Sequence, residues 1–203
     1  VGEDGATHHG VFDMAAFGAV PGLTIAAPMN EPELRNMMYT ALGSGHPFMI
    51  RYPRGHGEGL PWRGEKFETL PVGRGRRLRE GADVALLTVG TVGNAAARAA
   101  GRAAAEGVSV AHYDLRFVKP LDEALLDEVG RKFRRVVTVE DGSLRGGVGE
   151  AVAAFFNGRG YDVRVQRLGI GDEWVEHGTP GQLYALCGYD EEGILRALLD
   201  TRA

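Results

Sequence analysis

From residue 84 onward the chain alternates between two periods. Val84-Ala85-Leu86-Leu87-Thr88-Val89 is an unbroken apolar run of the kind that fills a strand buried on both faces. An alanine-rich helical stretch follows at about 94–106, and then a second strand-like run at 108–115. Pro120 opens a further unit, in which Leu125, Leu126, Val129 and Phe133 mark a helix and Val136-Val137-Thr138-Val139 a strand. Val148, Val152, Phe155 and Phe156 mark the next helix, and residues 163–168 the last strand. Strands alternating with helices of this length predict a mostly parallel α/β sheet joined by right-handed crossovers. With 203 residues and 44% hydrophobic content the chain has ample material for a core.

The same logic applies near the start. A strand-like Leu23-Thr24-Ile25-Ala26-Ala27 leads to a helix announced by Asn30 as N-cap with Glu33 three residues later. Leu34, Met37, Met38, Ala41 and Leu42 recur at the spacing of a buried helical stripe, so the methionines read as core. Gly43 and Gly45 end that helix, and Phe48-Met49-Ile50-Arg51-Tyr52 supplies the next strand, closing a β-α-β unit. Between about 56 and 79 the pattern dissolves into Gly, Pro and charge, with Trp62 and Phe67 as isolated apolar anchors. The division expected is a first unit at 1–57, a linker at 58–69 and a second unit at 70–203. Thr179-Pro180-Gly181-Gln182 carries a capping box with Pro at the first helical position, and Asp190 caps a terminal helix burying Ile194, Leu195 and Leu198.

Chemistry-bearing residues concentrate at the front. Asp4-Gly5-Ala6-Thr7-His8-His9-Gly10-Val11-Phe12-Asp13 is punctuated by glycine, so Asp4 and His8 belong to a loop and not to one helix face. Taken alone, the His8-His9 pair reads as a hydrogen-bonded turn. Tyr52-Pro53-Arg54-Gly55 follows a strand, and strand ends of parallel sheets are where ligands bind. Elsewhere the bland readings prevail. Gly90-Thr91-Val92-Gly93 lacks the third glycine of a dinucleotide loop and the Lys-Ser/Thr of a P-loop, and reads as a strand-to-helix turn. Gly146-Gly147-Val148-Gly149 reads as tight packing at a helix start, with Glu140 and Asp141 as helix-dipole or interface charges. The Arg74-Gly75-Arg76-Arg77 cluster reads as a solvated or interdomain surface. His112 and His177 read as structural, and His46 and His56 as solvated turn residues.

Several functions are excluded at this level. A net charge of -4 with scattered arginines gives no attraction to nucleic acid or to an anionic membrane surface. The histidines never take His-x-x-x-His spacing and one cysteine, Cys187, cannot build a thiolate cluster or an internal disulfide, so no metal site emerges and a reducing cytosol fits. No apolar run approaches the roughly twenty residues of a membrane span. The opening Val1-Gly2-Glu3-Asp4-Gly5 has neither an initiator Met nor a signal-peptide pattern, and reads as the cut end of something longer.

In sequence order, the Asp4 to Asp13 loop, Thr24-Ile25-Ala26-Ala27-Pro28, Asn30-Glu31-Pro32-Glu33-Leu34 and Pro47 to Gly55 together closely resemble the 1-deoxy-D-xylulose-5-phosphate synthases, thiamine-diphosphate enzymes of the transketolase superfamily. The resemblance implies a partial pyrimidine-binding α/β domain followed by a transketolase C-terminal-type, mostly parallel α/β domain. It implies a transferase condensing pyruvate with glyceraldehyde 3-phosphate to 1-deoxy-D-xylulose 5-phosphate and carbon dioxide, the first step of the non-mevalonate isoprenoid route, in a cytoplasmic homodimer that also feeds thiamine biosynthesis. Arg54 would clamp the acceptor phosphate through paired charge-assisted hydrogen bonds. His8 would hydrogen-bond the reacting carbonyl or hydroxyl as proton donor or shuttle, and Asp4 would bond sugar hydroxyls or orient the imidazole. The role of His9 stays open. The family's Gly-Asp-Gly...Asn segment for magnesium and diphosphate, and its aminopyrimidine-polarising glutamate, have no match here, so thiamine diphosphate and Mg would be held by an upstream part of the enzyme and this chain alone would be incomplete. The competing readings are a transketolase, a 2-oxo-acid dehydrogenase β-subunit, or a non-catalytic dimerisation module. The Phe12-Asp13 continuation and Tyr52-Pro53-Arg54-Gly55 favour the synthase, and a dimerisation module would need neither the Asp4/His8 loop nor Arg54.

Overall fold

A computed structural model describes residues 1–64 and 66–200. Residue 65 of the expected linker and residues 201–203 of the expected second unit lie outside the described residues.

After a 3-10 turn at Gly2–Asp4 come helix α1 (Asp13–Gly18), strand β1 (Thr24–Ala26), helix α2 (Glu31–Gly43) and strand β2 (Phe48–Ile50). Strands β1 and β2 run parallel, with Thr24 opposite Phe48 and Ala26 opposite Ile50. The ladder continues one step past β2, where Arg51 N donates to Ala26 O at 2.8 Å. The second unit holds β3 (Arg76–Arg79), β4 (Val84–Val89), α3 (Val92–Ala105), β5 (Val110–Asp114), β6 (Phe117–Lys119), α4 (Glu123–Lys132), β7 (Arg135–Ser143), α5 (Val148–Gly158), β8 (Arg164–Ile170), α6 (Pro180–Leu186) and α7 (Glu191–Leu199). Five of its strands form one sheet in the order β3-β5-β4-β7-β8, parallel except for the edge strand β3.

The unbroken apolar strands follow from coverage on both faces. Leu86, Val110 and Val137 point into one core with the alanines of α3 and Ile194 and Leu198 of α7. Their neighbours Leu87, Ala111 and Val136 point the other way, against Leu126 and Val129 of α4 and Val152 and Phe156 of α5. Small side chains on α3, with Ala96, Ala99, Ala100 and Ala103 all fully buried, let that helix lie close to the sheet. The predicted caps form: Asn30 accepts from Glu33 N, Asp190 from Gly193 N, and Thr179 and Gln182 make the reciprocal capping box.

Three features depart from the sequence reading. The polar edge strand β3 and the three-residue β6 fall where no apolar period announces a strand. Strand β6 also leaves the second unit's sheet: it pairs antiparallel with β1, making a three-stranded sheet β2-β1-β6. Helix α2 buries only part of its predicted apolar stripe. Its buried residues are Glu33, Asn36, Met37 and Thr40, whereas Met38 is exposed and Leu42 is 88% exposed. The buried face is polar because distant segments bring partners to it. Arg116 Nε and Nη2 donate to Glu33 at 2.8 and 2.9 Å, and Arg76 Nη1 donates to it at 2.8 Å. The linker then lies along the same face, with Glu68 N on Asn36 Oδ1 at 3.3 Å and Leu70 N on Thr40 Oγ1 at 2.8 Å. Phe67 stacks on Tyr39 with ring centroids 5.2 Å apart.

Two adjacent buried groups give the fold opposing responses to acid. His112 on β5 bonds Thr88 Oγ1 at 2.9 Å, and burial, reinforced by Arg76 and Arg79, pushes its imidazole down to about 4 from 6.5. Between those values the folded chain binds fewer protons here than the unfolded one, so this contribution to stability is lost as pH falls. Burial raises Asp114, against the pull of Arg76, to about 6 from 3.8, so its contribution grows as pH falls through that window. A His112→Asn variant removes only the first effect. Between pH 7 and pH 4 the parent chain should therefore lose roughly 3 kcal/mol relative to the variant, measurable as the change in the difference of their urea midpoints. The split burial of the α2 stripe makes a second prediction. Leu42→Ser should change stability by no more than about 0.5 kcal/mol, while Met37→Ala should cost about 2–5 kcal/mol in the same measurement.

Candidate functional site

Between the two units lies a cavity of about 160 Å³, lined on one side by His8, His9, Arg51 and Arg54 and on the other by Asp141, Tyr184, Cys187 and Tyr189. The β1-α2-β2 unit sets the positions of both arginines. Arg51 extends the ladder of β2, Pro53 fixes its own φ and biases Tyr52 toward an extended conformation, and Arg54 follows.

His8 and Arg54 line this cavity, and Asp4, fifty positions from Arg54, is paired with that arginine. Arg54 Nη1 donates to Asp4 Oδ2 at 3.0 Å, with the two side chains 60% and 44% exposed. His8 Nδ1 is bonded to Thr7 Oγ1 at 2.9 Å, so Asp4 engages the arginine and Thr7 the imidazole. His9 is a tether: its Nε2 bonds Gly2 O at 3.3 Å. Gly2 itself packs against the approach to α6: its carbonyl accepts from Gly178 N at 3.0 Å, and a Cβ on Gly2 would fall 2.4 Å from Gly178 O and 2.8 Å from Leu183 Cδ1 of α6.

Sequence reasoning named Asp141 only as a helix-dipole or interface charge and gave Arg51 no role, yet these residues join the two sides. Arg51 is 12% exposed and lies between two carboxylates, Asp13 Oδ2 at 3.3 Å and Asp141 Oδ2 at 3.1 Å. Burial works against its charge, and the two carboxylates more than offset that, holding the guanidinium above its ordinary pKa. Asp141 also accepts from Tyr189 Oη at 2.9 Å and from Tyr184 Oη at 3.4 Å. Burial and the Asp141 charge raise both phenols, so they remain protonated donors. The available signal was an arginine ending an apolar strand, which must be desolvated and therefore paired.

Other sequence candidates resolve as framework. Glu140 accepts from Val148 N and Gly149 N at 2.8 Å each, placing a carboxylate on the first turn of α5. Gly147 is required there, because a Cβ would lie 2.2 Å from Ser143 O and 2.5 Å from Glu140 Oε2. Within the Arg74 to Arg77 cluster, Arg76 reaches across to Glu33 as well as to Asp114. His46 is exposed, as its turn reading expects, and is also held by Thr24 Oγ1 and Ser44 O at 2.9 and 2.8 Å. Among the described residues no three His, Cys, Asp or Glu side chains gather where they could hold a metal ion. No helix of the described residues is long and apolar enough to cross a membrane.

Family models match both units: the transketolase pyrimidine-binding domain over residues 1–58, and the transketolase C-terminal domain over residues 73–194. The chain is 56% identical over 204 residues to the 1-deoxy-D-xylulose-5-phosphate synthase of Bacteroides fragilis, covering 100% of this chain and 31% of that protein. It is 54% identical to the synthase of Bacteroides thetaiotaomicron, covering 98% and 31%, and 45% identical to that of Symbiobacterium thermophilum, covering 95% and 30%. The chain thus spans about a third of the length of these curated relatives. Among solved structures, a split-gene transketolase, described as an inactive β4 tetramer, superposes with TM-score 0.80 at 27% identity, over 95% of this chain and 61% of that one. A transketolase mutant from Pichia stipitis shares the fold, with TM-score 0.72 at 21% identity, over 98% of this chain and 28% of that one.

The ion pairs of the site's two arginines should respond differently when broken. Asp4→Ala breaks an exposed pair and should cost about 1 kcal/mol or less. Arg51→Ala leaves Asp13 and Asp141 facing each other across a desolvated gap and should cost about 3–5 kcal/mol. Equilibrium unfolding in urea separates the two.

Proposed function

Because the chain belongs to the transketolase family, we propose that it is part of a thiamine-diphosphate-dependent transferase that condenses pyruvate with glyceraldehyde 3-phosphate to 1-deoxy-D-xylulose 5-phosphate and carbon dioxide. The observation that carries this reading is that His8 and Arg54 line one cavity with Asp4 bonded to Arg54, in a chain 56% identical to a named synthase. The same reading takes residues 1–57 as the latter part of the pyrimidine-binding domain, 58–69 as linker and 70–203 as the C-terminal-type domain. It assigns the ligands of thiamine diphosphate and magnesium to the portion of the relatives' length that this chain does not span. It also makes the enzyme a cytoplasmic homodimer supplying isoprenoid and thiamine precursors, with no nucleic-acid or membrane partner.

Arg54 binds the acceptor phosphate. Its guanidinium is the half-exposed member of the site and its pair with Asp4 is solvent-screened, so a doubly charged phosphate competes well for it. Displaced from Arg54, the Asp4 carboxylate becomes an acceptor for sugar hydroxyls. His8, with Nδ1 committed to Thr7, offers Nε2 to the reacting carbonyl or hydroxyl as proton donor.

In the full-length enzyme, Arg54→Ala should lower efficiency with glyceraldehyde 3-phosphate about ten- to a hundred-fold, the loss of a charged hydrogen bond worth roughly 1.5–3 kcal/mol, with a smaller effect on the pyruvate KM. His8→Ala should chiefly lower kcat, on the order of 10²–10⁴-fold. Steady-state kinetics varying each substrate separately decides the matter. An Arg54→Ala enzyme with unchanged acceptor constants would remove the phosphate clamp, and a His8→Ala enzyme altered only in acceptor KM would make His8 a binding group.

A further inference from the structure

Arg54 is poorly restrained by its own contacts, which consist of one exposed ion pair. Its location is therefore set by the backbone that carries it. That backbone is short and stiff: the amide of Arg51 is bonded to Ala26 O, Pro53 has a fixed φ, and only Tyr52 lies between them. The side chain of Arg51 is fastened at the same place, to Asp13 of α1 and to Asp141 of β7. Asp141 is 11% exposed and is itself fixed by the hydroxyls of Tyr184 and Tyr189, on the far wall of the cavity. A chain of bonded contacts thus runs from the second unit's sheet to the guanidinium three residues beyond Arg51.

We propose that Asp141 is a positioning residue for acceptor binding: by holding Arg51 it sets the register of the Arg51-Tyr52-Pro53-Arg54 segment, and so the place at which Arg54 meets a phosphate. This rests on the reading of Arg54 as the phosphate group's partner. Asp141 makes no contact with substrate in this scheme. Its effect is confined to the phosphorylated end of the acceptor, because pyruvate and the reacting aldehyde do not depend on where Arg54 sits.

The test uses the full-length enzyme and compares kcat/KM for glyceraldehyde 3-phosphate with that for unphosphorylated glyceraldehyde, as a ratio. Asp141→Ala should lower this ratio about tenfold, since a misplacement of an ångström or so at a binding group costs up to about a hundredfold, and should leave the pyruvate KM within about a factor of two. In an Arg54→Ala background the same change should lower the ratio no further. Arg51→Lys, which keeps the charge but loses the fork that spans both carboxylates, should reproduce the effect, and it carries the test if Asp141→Ala does not fold. A ratio that is altered by Arg54→Ala but not by Asp141→Ala or Arg51→Lys overturns the positioning role alone, as does a loss that adds in full to that of Arg54→Ala. A ratio unaffected by Arg54→Ala overturns the phosphate reading and this proposal together.

Discussion

The structure turns on one desolvated cation. Arg51 is buried where the first unit meets the second, and neither unit alone could keep it there. Asp13 from the start of α1 supplies one carboxylate and Asp141 from β7 the other, with two tyrosine hydroxyls completing the second. A guanidinium taken from water at such a junction is tolerable only when its partners are well placed. The need to place them therefore fixes how α1, the end of β2 and β7 lie together. A second junction repeats the principle with the signs exchanged: one buried carboxylate, Glu33, holds Arg76 and Arg116 from the second unit.

Two residues separate Arg51 from Arg54, and exposure distinguishes the two arginines. The first is 12% exposed with two carboxylates close by, and a further anion would have to displace partners that hold it in a low-dielectric setting. The second is 60% exposed with a single screened partner. On the proposed reading, anion binding falls to the residue whose existing contact is weak, while the strong contacts hold the scaffold.

Much of this was legible in the residues, where the cause is local. The apolar runs of β4, β5 and β7, the Asn30 and Asp190 caps and the Thr179-Gln182 box depend on neighbours a few positions away, and the family resemblance supplied Asp4, His8 and Arg54 together. What stayed hidden depends on distant partners. Of the predicted stripe Leu34, Met37, Met38, Ala41 and Leu42, Met37 is core but Met38 and Leu42 are exposed, because the segments bonded to Glu33, Asn36 and Thr40 arrive from residues 68 to 116. Arg51 and Asp141 were visible as charges, and Asp141 was read among interface or helix-dipole charges, but their pairing spans ninety positions and leaves no periodic trace. Strands β3 and β6 are short and polar or isolated, and exist because an edge was open beside them.

Strand β6 makes the two units less modular than their sequences suggest. It is encoded in the second unit yet completes the sheet of the first, and Lys119 at its end donates to the carbonyls of Gly18 and Val20. A gene divided at the linker would yield one product with an unpaired β1 edge and another with an orphaned three-residue strand. Such halves would recognise each other through complementary backbone edges, so a split version of this architecture would reassemble by strand exchange, and its failure to do so would expose sticky edges to non-partner chains. Recombination between relatives faces the same constraint: a crossover in the linker inherits β1 and β6 from different parents.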